Sequence, residues 1–541
     1  MILKLFNLFE NFNYLSLVGI TLIFYITYYY IKYFSRINRL PGPFPFPYFG
    51  NLPQLYIGHG GNFKMFYDSN HMKYGDLYEV YFGTRVIVLN RSEYVEKLLS
   101  ASTKNPFITK LSDDDSKGFH ELGIMGKGIL LNQEFQSWRY NRHFFTQAIL
   151  SPKFVHEATY WASKLFNELE SYWDKLYING VNRKTFDFNT WSNQFTNDMI
   201  ISLLTGERSY TMAGYFNELS DDEKAERPSA LIDETVKFVH AIRKHVLGLS
   251  MFHEVSPFLR HYFPYFKSKS NDMKQNLKYL NKRFDSIIKK RRQEIENTPL
   301  DKPLSNDMLT SVIIANTPRD VKYDKNVNDK FMRPMTSVEI RGIIFDGIAA
   351  GTDTTANTIS YIVYYLAHNP DVKKEMLDEI DRVFEDDKTR PITESDIHNL
   401  KYCEAIVKEV SRFFSVVNSI VRCLEKPEKI SGYQLPANTH VRISIDAIHH
   451  NSEYWEEPEN FNPNRWMVEG FEPKKNSFIT FGGGLRVCPG RKLAIVQLVC
   501  LMALLFRKYE IDLINKETPL KTVSSVITAC TELLIEIKLR N

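Results

Sequence analysis

From Asn11 to Ile31 the chain carries no Asp, Glu, Lys or Arg, and the centre of that run reads LSLVGITLIFYI. As a helix it spans about 31 Å, which matches a hydrocarbon core of about 30 Å. The pattern predicts a membrane anchor over residues 1–35. Tyr28, Tyr29 and Tyr30 fall where an interfacial aromatic belt would lie. Lys32, Arg36 and Arg39 follow, which by the positive-inside rule places the rest of the chain in the cytosol. No small-residue cleavage site precedes Arg36, so a signal peptide is the weaker reading. Pro41, Pro43, Pro45 and Pro47 then alternate, which excludes helix and predicts a stiff, extended hinge over residues 36–50.

In the body, residues 51–541, the periodicity changes twice. Asp76 to Asn90 alternates about Gly83-Thr84 and predicts a β-hairpin. Helical patterns dominate from Ser92 to Phe414, broken by the polar stretch Asn297 to Pro334. Lys289, Lys290, Arg291 and Arg292, just before that break, read as a solvated helix end. After Arg422 short strands and turns take over, then a helix from about Gly490 and strand-like ends. The expected fold is mostly α with a minor β part.

The clearest helix runs from Thr336 to His368. Thr336-Ser337-Val338-Glu339 is a capping-box pattern, and Asn369-Pro370 stops it. At about 1.5 Å per residue it crosses an entire globular body. Within it, AAGTDTTAN places Gly351, three threonines and the charged Asp353 between the apolar flanks FDGIAA and ISYIVYYLA. Such poor helix formers predict a site that tolerates local distortion for chemistry.

Composition narrows the classes. With 541 residues, 43% hydrophobic and 24% charged, the chain is globular and large enough for an enzyme. A formal net charge of +4 gives no reason to propose a nucleic-acid partner. Five cysteines, widely spaced and without a Cys-x-x-Cys pair, exclude a disulfide scaffold and a zinc ribbon. Cys488 is the exception to their blandness, in FITFGGGLRVCPGRKLAIVQL. Glycines before it permit close backbone approach, and Pro489-Gly490 opens an apolar helix whose N-terminus favours an anion.

FGGGLRVCPG resembles the haem-thiolate signature of the cytochrome P-450 superfamily, with Phe481, Gly484, Arg486, Cys488 and Gly490 in every fixed place. AGTDTT (Ala350 to Thr355) resembles the oxygen-activation motif. Glu409, Arg412 and Arg465 resemble the Glu-Arg-Arg structural triad, and WRYNR supplies Trp138 and Arg142, positions that contact a haem propionate. The resemblance covers residues 36 to 541, and the anchor fits microsomal members. The family's prolines after Glu-x-x-Arg are absent from RFFSVVNSIVR; His449-His450 stands for a common His-Arg pair, and Asn464 and Trp466 replace the usual Glu and Phe around Arg465.

The resemblance implies a cytochrome P-450 fold and haem b with Cys488 as axial thiolate. Trp138, Arg142, Arg422, Phe481 and Arg486 would bind the cofactor. Haem carries two propionates into a largely apolar pocket, so cationic partners are required. Asp353 and Thr354 would deliver protons for dioxygen scission. The activity implied is monooxygenation of a hydrophobic small molecule, with electrons from an NADPH-dependent reductase at the endoplasmic reticulum membrane. Phe107 to Gly128, Phe345 to Thr354 and Val416 to Val421 would line the pocket. A haem-thiolate isomerase or a haem carrier would have no use for the Asp353-Thr354 pair.

Overall fold

The computed structural model describes residues 14–102, 107–178, 185–221, 225, 235–319, 333–524 and 526–540. The first residues of the apolar run, and 320–332 of the polar stretch, lie outside them. Tyr14–Phe34 is a helix, and within it Ser16–Phe34 is long and apolar enough to cross a membrane, with none of that window buried against the protein. The proline segment that follows is docked on the body rather than free. Glu79, 1% exposed, receives Arg36 Nε at 2.6 Å and Arg85 Nε at 2.7 Å, and its N–H donates to Pro41 O at 2.9 Å. Two cations sharing one buried carboxylate fix where the spacer leaves the body.

The expected hairpin forms from Leu77–Phe82 and Thr84–Leu89, with Phe82 opposite Thr84 and Gly83 at φ 76°. It belongs to a four-stranded sheet. Thr84–Leu89 pairs in parallel with His440–Ser444, which pairs antiparallel with Ser419–Cys423. A second sheet joins Thr185–Asp187, Leu534–Leu539 and Tyr509–Leu513. The helices occupy the middle of the chain, as the patterning predicts.

The central helix is Ser337–His368, 32 residues, capped by Thr336. Thr336 Oγ1 accepts from Glu339 N, and Glu339 Oε2 accepts from Thr336 N at 2.9 Å, so the capping box is complete. This helix lies against Phe188–Thr205, itself buried almost throughout, and against Arg491–Lys508. The expected local distortion is not there: the α-helix is regular across residues 351–355. Packing accounts for the glycine instead. A Cβ at Gly351 would sit 2.8 Å from Ile200 Cδ1, and one at Gly347 2.8 Å from Leu204 Cδ1. The threonines bond back one turn, Thr352 Oγ1 to Ile348 O at 2.9 Å and Thr354 Oγ1 to Ala350 O at 2.6 Å, which satisfies their hydroxyls without breaking the ladder.

In the basic cluster Lys289 and Lys290 are exposed, as a solvated helix end requires, but Arg291 differs from that reading. The cluster lies in the Pro264–Asn297 helix, where Arg291 is buried, donates to Thr205 O at 2.8 Å and pairs with Asp307 at 3.3 Å. A guanidinium can supply the missing donor at a neighbouring helix C-terminus, a role invisible in a run of four basic residues.

Candidate active site

Cys488 sits in a turn between the 3-10 segment Gly484–Arg486 and the Arg491–Lys508 helix. Its N–H donates to Phe481 O at 2.8 Å, and Val487 N donates to Gly484 O at 3.1 Å. Gly484 has φ 65°, and a Cβ there would lie 2.7 Å from Ser100 O, so glycine is required on both counts. The Cys488 side chain is accessible, yet enough protein surrounds it that burial pushes its thiol up. The Gly490 N–H, Arg142 and Arg491 pull the other way and stabilise a thiolate.

Cations converge beside this turn. Arg486 donates Nε to Ile108 O at 3.1 Å, one terminal nitrogen to Ile129 O at 2.6 Å and the other to Asn132 O, and its guanidinium lies 4.6 Å from the Trp138 ring centroid. Trp138 and Arg142 come from the Phe135–Ile149 helix, and Arg142 donates to Val487 O at 2.5 Å. Arg422, on Ser419–Cys423, is 2% exposed and, among the described residues, bonds its neighbour Val421 O at 2.9 Å and no other group. Burial pulls Arg422 down to about 10; burial with repulsion from Arg422 and Arg142 pulls Arg486 down to about 9. Among the described residues, buried Trp138 Nε1 and Arg422 Nε find no hydrogen-bond partner. The set is short of anions, which costs free energy unless acceptors arrive.

Two residues in this set escaped the sequence reading. Lys110 is pulled down to about 7, chiefly by burial, then by Arg486 and Arg422. Asp346, on the central helix, accepts from Ile129 N at 2.6 Å and Leu130 N at 2.8 Å through one oxygen. Nothing in the local pattern marks Lys110. Asp346 was visible as a second carboxylate in an apolar helix, two turns before Asp353.

Asp353 and Thr354 stand apart from the cations. Asp353 is buried, which raises its carboxyl, and Arg243 partly offsets that. Ala350 is exposed and Thr354 half-buried although Thr352, Asp353 and Thr355 are buried, so this stripe of the helix also fronts open space. Glu409, Arg412 and Arg465 are brought together away from these groups. Glu409 receives Arg412 at 2.8 and 3.0 Å, Arg465 Nε at 3.1 Å, Asn462 N at 3.0 Å and Trp466 Nε1 at 2.9 Å. The Trp that replaces the usual Phe thus adds a donor. His449, the first of the His-His pair, is buried, pulled down to about 3, and gives its carbonyl to Arg412 at 2.9 Å.

The sequence profile of the family described as Cytochrome P450 matches residues 40–539. Cytochrome P450 705A5 of Arabidopsis thaliana is 25% identical over 87% of this chain and 85% of its own length. Cytochrome P450 3A14 of Cavia porcellus is 26% identical over 90% and 88%. The crystal structure titled cytochrome P450DA heme domain aligns with a TM-score of 0.74 at 18% identity, over 94% of this chain and 99% of that one. The chain belongs to the cytochrome P450 family. It is therefore a haem-dependent monooxygenase, in a family whose haem is ligated by a cysteine thiolate.

The residues present fit that cofactor. An anion-poor group of cations with two orphaned buried donors is what two propionate carboxylates would complete, and an accessible thiol supported by an N–H suits an axial sulfur. Among the described residues no cluster of three or more His, Cys, Asp or Glu gathers to hold a bare ion.

Proposed function

We propose that Cys488 is the axial thiolate of haem b and that Trp138, Arg142, Arg422 and Arg486 bind its propionates. One observation carries this: a buried arginine, Arg422, and two half-buried ones, Arg142 and Arg486, drawn from three separate elements, meet beside the Cys488 turn with too few anions among the described residues to balance them. Phe481 contributes through its carbonyl, which closes the turn on Cys488 N–H. Haem so ligated supplies dioxygen activation, one atom going to the substrate and the other to water.

The remaining roles belong to the chain. Asp353, its carboxyl raised by burial, holds a proton near neutrality more readily than a solvated carboxylate and passes it inward. Thr354 Oγ1 turns from Ala350 O to orient water at the open stripe of the helix. Glu409, Arg412 and Arg465 hold the 456–466 segment on the Lys401–Phe413 helix and take no part in chemistry. The substrate is a hydrophobic small molecule. Supporting this are the partly exposed apolar side chains Phe107, Ile124, Phe345, Ala349, Val417 and Ile420, drawn from the three segments expected to line the pocket.

Residues 1–35 anchor the protein, 36–50 set its orientation and 51–541 form the catalytic body, cytosolic at the endoplasmic reticulum. The electron donor is an NADPH-dependent reductase. The test is reconstitution of the full chain with such a reductase in lipid vesicles and a panel of apolar ligands. Oxygenated product, formed in step with NADPH consumption, is expected for ligands that shift the iron spin state. A carrier or an isomerase would give ligand shifts but no reductase-dependent product, and that result overturns the proposal.

A further inference from the structure

The Lys127–Leu130 segment is clamped between the central helix and the Cys488 turn. Asp346 Oδ2 takes both Ile129 N and Leu130 N, at 2.6 and 2.8 Å. Asn141 Nδ2 donates to Gly128 O at 3.0 Å from the Phe135–Ile149 helix. The carbonyl of the same Ile129 accepts Arg486 at 2.6 Å. Approach is close on both sides: a Cβ on Gly128 would overlap Asp346 Oδ2, and one on Gly342 would overlap Lys127 O. One peptide unit is therefore gripped at N–H by the central helix and at C=O by the arginine two residues before Cys488.

We propose that Asp346 is a positioning residue which, through the Ile129 peptide, fixes the Arg486 guanidinium for its carboxylate ligand; the inference rests on the haem reading above. Arg486 has three backbone acceptors, Ile108, Ile129 and Asn132; Ile129 lies on the stretch Asp346 secures, and Asn132 follows two residues after it. A carboxylate accepting two N–H groups holds that stretch more firmly than water could, because both bonds are charge-assisted and converge on one oxygen. Lys110 and Arg486 lie close enough to supply its counter-charge. The hydrogen-bonded route of Asp346 to the site runs through the Ile129 peptide to Arg486, and its charge also faces Lys110.

The test follows haem transfer from the purified full-length holoprotein to excess apomyoglobin. Losing two charge-assisted hydrogen bonds, Asp346→Ala should release haem at least about tenfold faster. Asp346→Asn keeps an oxygen able to accept both N–H groups and should stay within about threefold of wild type, a rescue that loss of fold alone would not produce. In the Arg486→Ala background Asp346→Ala should add less than about twofold, since a residue acting through another is not additive with it. Should alanine at 346 give no folded protein, Gly128→Ala, which forces the segment off the carboxylate, must raise release at least about fivefold. Wild-type release rates in the Asp346→Ala or Gly128→Ala proteins, or full additivity with Arg486→Ala, overturn the proposal. A wild-type protein that takes up no haem overturns the haem reading and this inference with it, so the two failures are distinguishable.

Discussion

Substituting Glu409 by Gln tests how much of the fold depends on one buried charge. Glu409 and Arg412 are both wholly buried and Arg465 nearly so. Glutamine keeps the shape and removes the charge, which leaves two guanidinium groups without their counter-ion at a cost of about 3–5 kcal/mol. The amide NH2 must also replace one oxygen. At the Oε2 position it would face Arg412 Nε and Trp466 Nε1, both donors, adding about 1–3 kcal/mol. Native stability is about 5–15 kcal/mol, so the variant loses a large fraction of it. The assay is guanidinium unfolding of the purified protein, followed by circular dichroism and tryptophan fluorescence. The 456–466 segment should open first, because Asn462, Arg465 and Trp466 all bond to this carboxylate. A loss below about 1 kcal/mol would mean that the charge is not the group that holds the segment.

Two further outcomes follow from the site. Thr354→Ala should leave haem binding intact but divert reducing equivalents into hydrogen peroxide, measured as peroxide against product per NADPH; unchanged coupling removes Thr354 from proton delivery. Lys110 sets a pH dependence. Its folded value of about 7 lies below its ordinary 10.5, so between those values the unfolded chain holds a proton the folded one lacks. Haem-free protein therefore gains stability as pH rises through that window and loses it as pH falls towards 7. Propionates supply counter-charge and lift Lys110 again, so haem uptake above pH 7 takes up a proton and affinity falls with rising pH, by at most about tenfold per pH unit. Lys110→Met should flatten that slope, and a slope unchanged in the variant would contradict the assignment.

Much of this architecture was readable along the chain because its signals are local. The hairpin announces itself by alternation around Gly83, and the central helix by a capping box and a proline stop. The Cys488 motif is a contiguous turn whose residues answer to one another within ten positions. What escaped reading is tertiary. Lys110 becomes unusual only when the fold buries it and brings Arg486, Arg422 and Arg142 beside it from distant elements. Arg291 looks solvated until the C-terminal carbonyl of Phe188–Thr205 lies beside it. Gly351 was taken as a mark of distortion, but helix propensity says nothing of Ile200 pressing on the same spot. Asp346 was visible as a charge in an apolar helix, yet its partners are backbone groups more than two hundred residues upstream, which no side-chain pattern encodes.

The proposed haem ligation depends on one atom, the sulfur of Cys488. Its most direct measurement is the absorption spectrum of the reduced, carbon monoxide-bound protein, taken for wild type and Cys488→Ala. Wild type should show the strongly red-shifted Soret band of thiolate ligation, and the variant should lose it. A wild-type Soret band at the position given by nitrogen ligation, or a red-shifted band that survives in Cys488→Ala, would contradict the account.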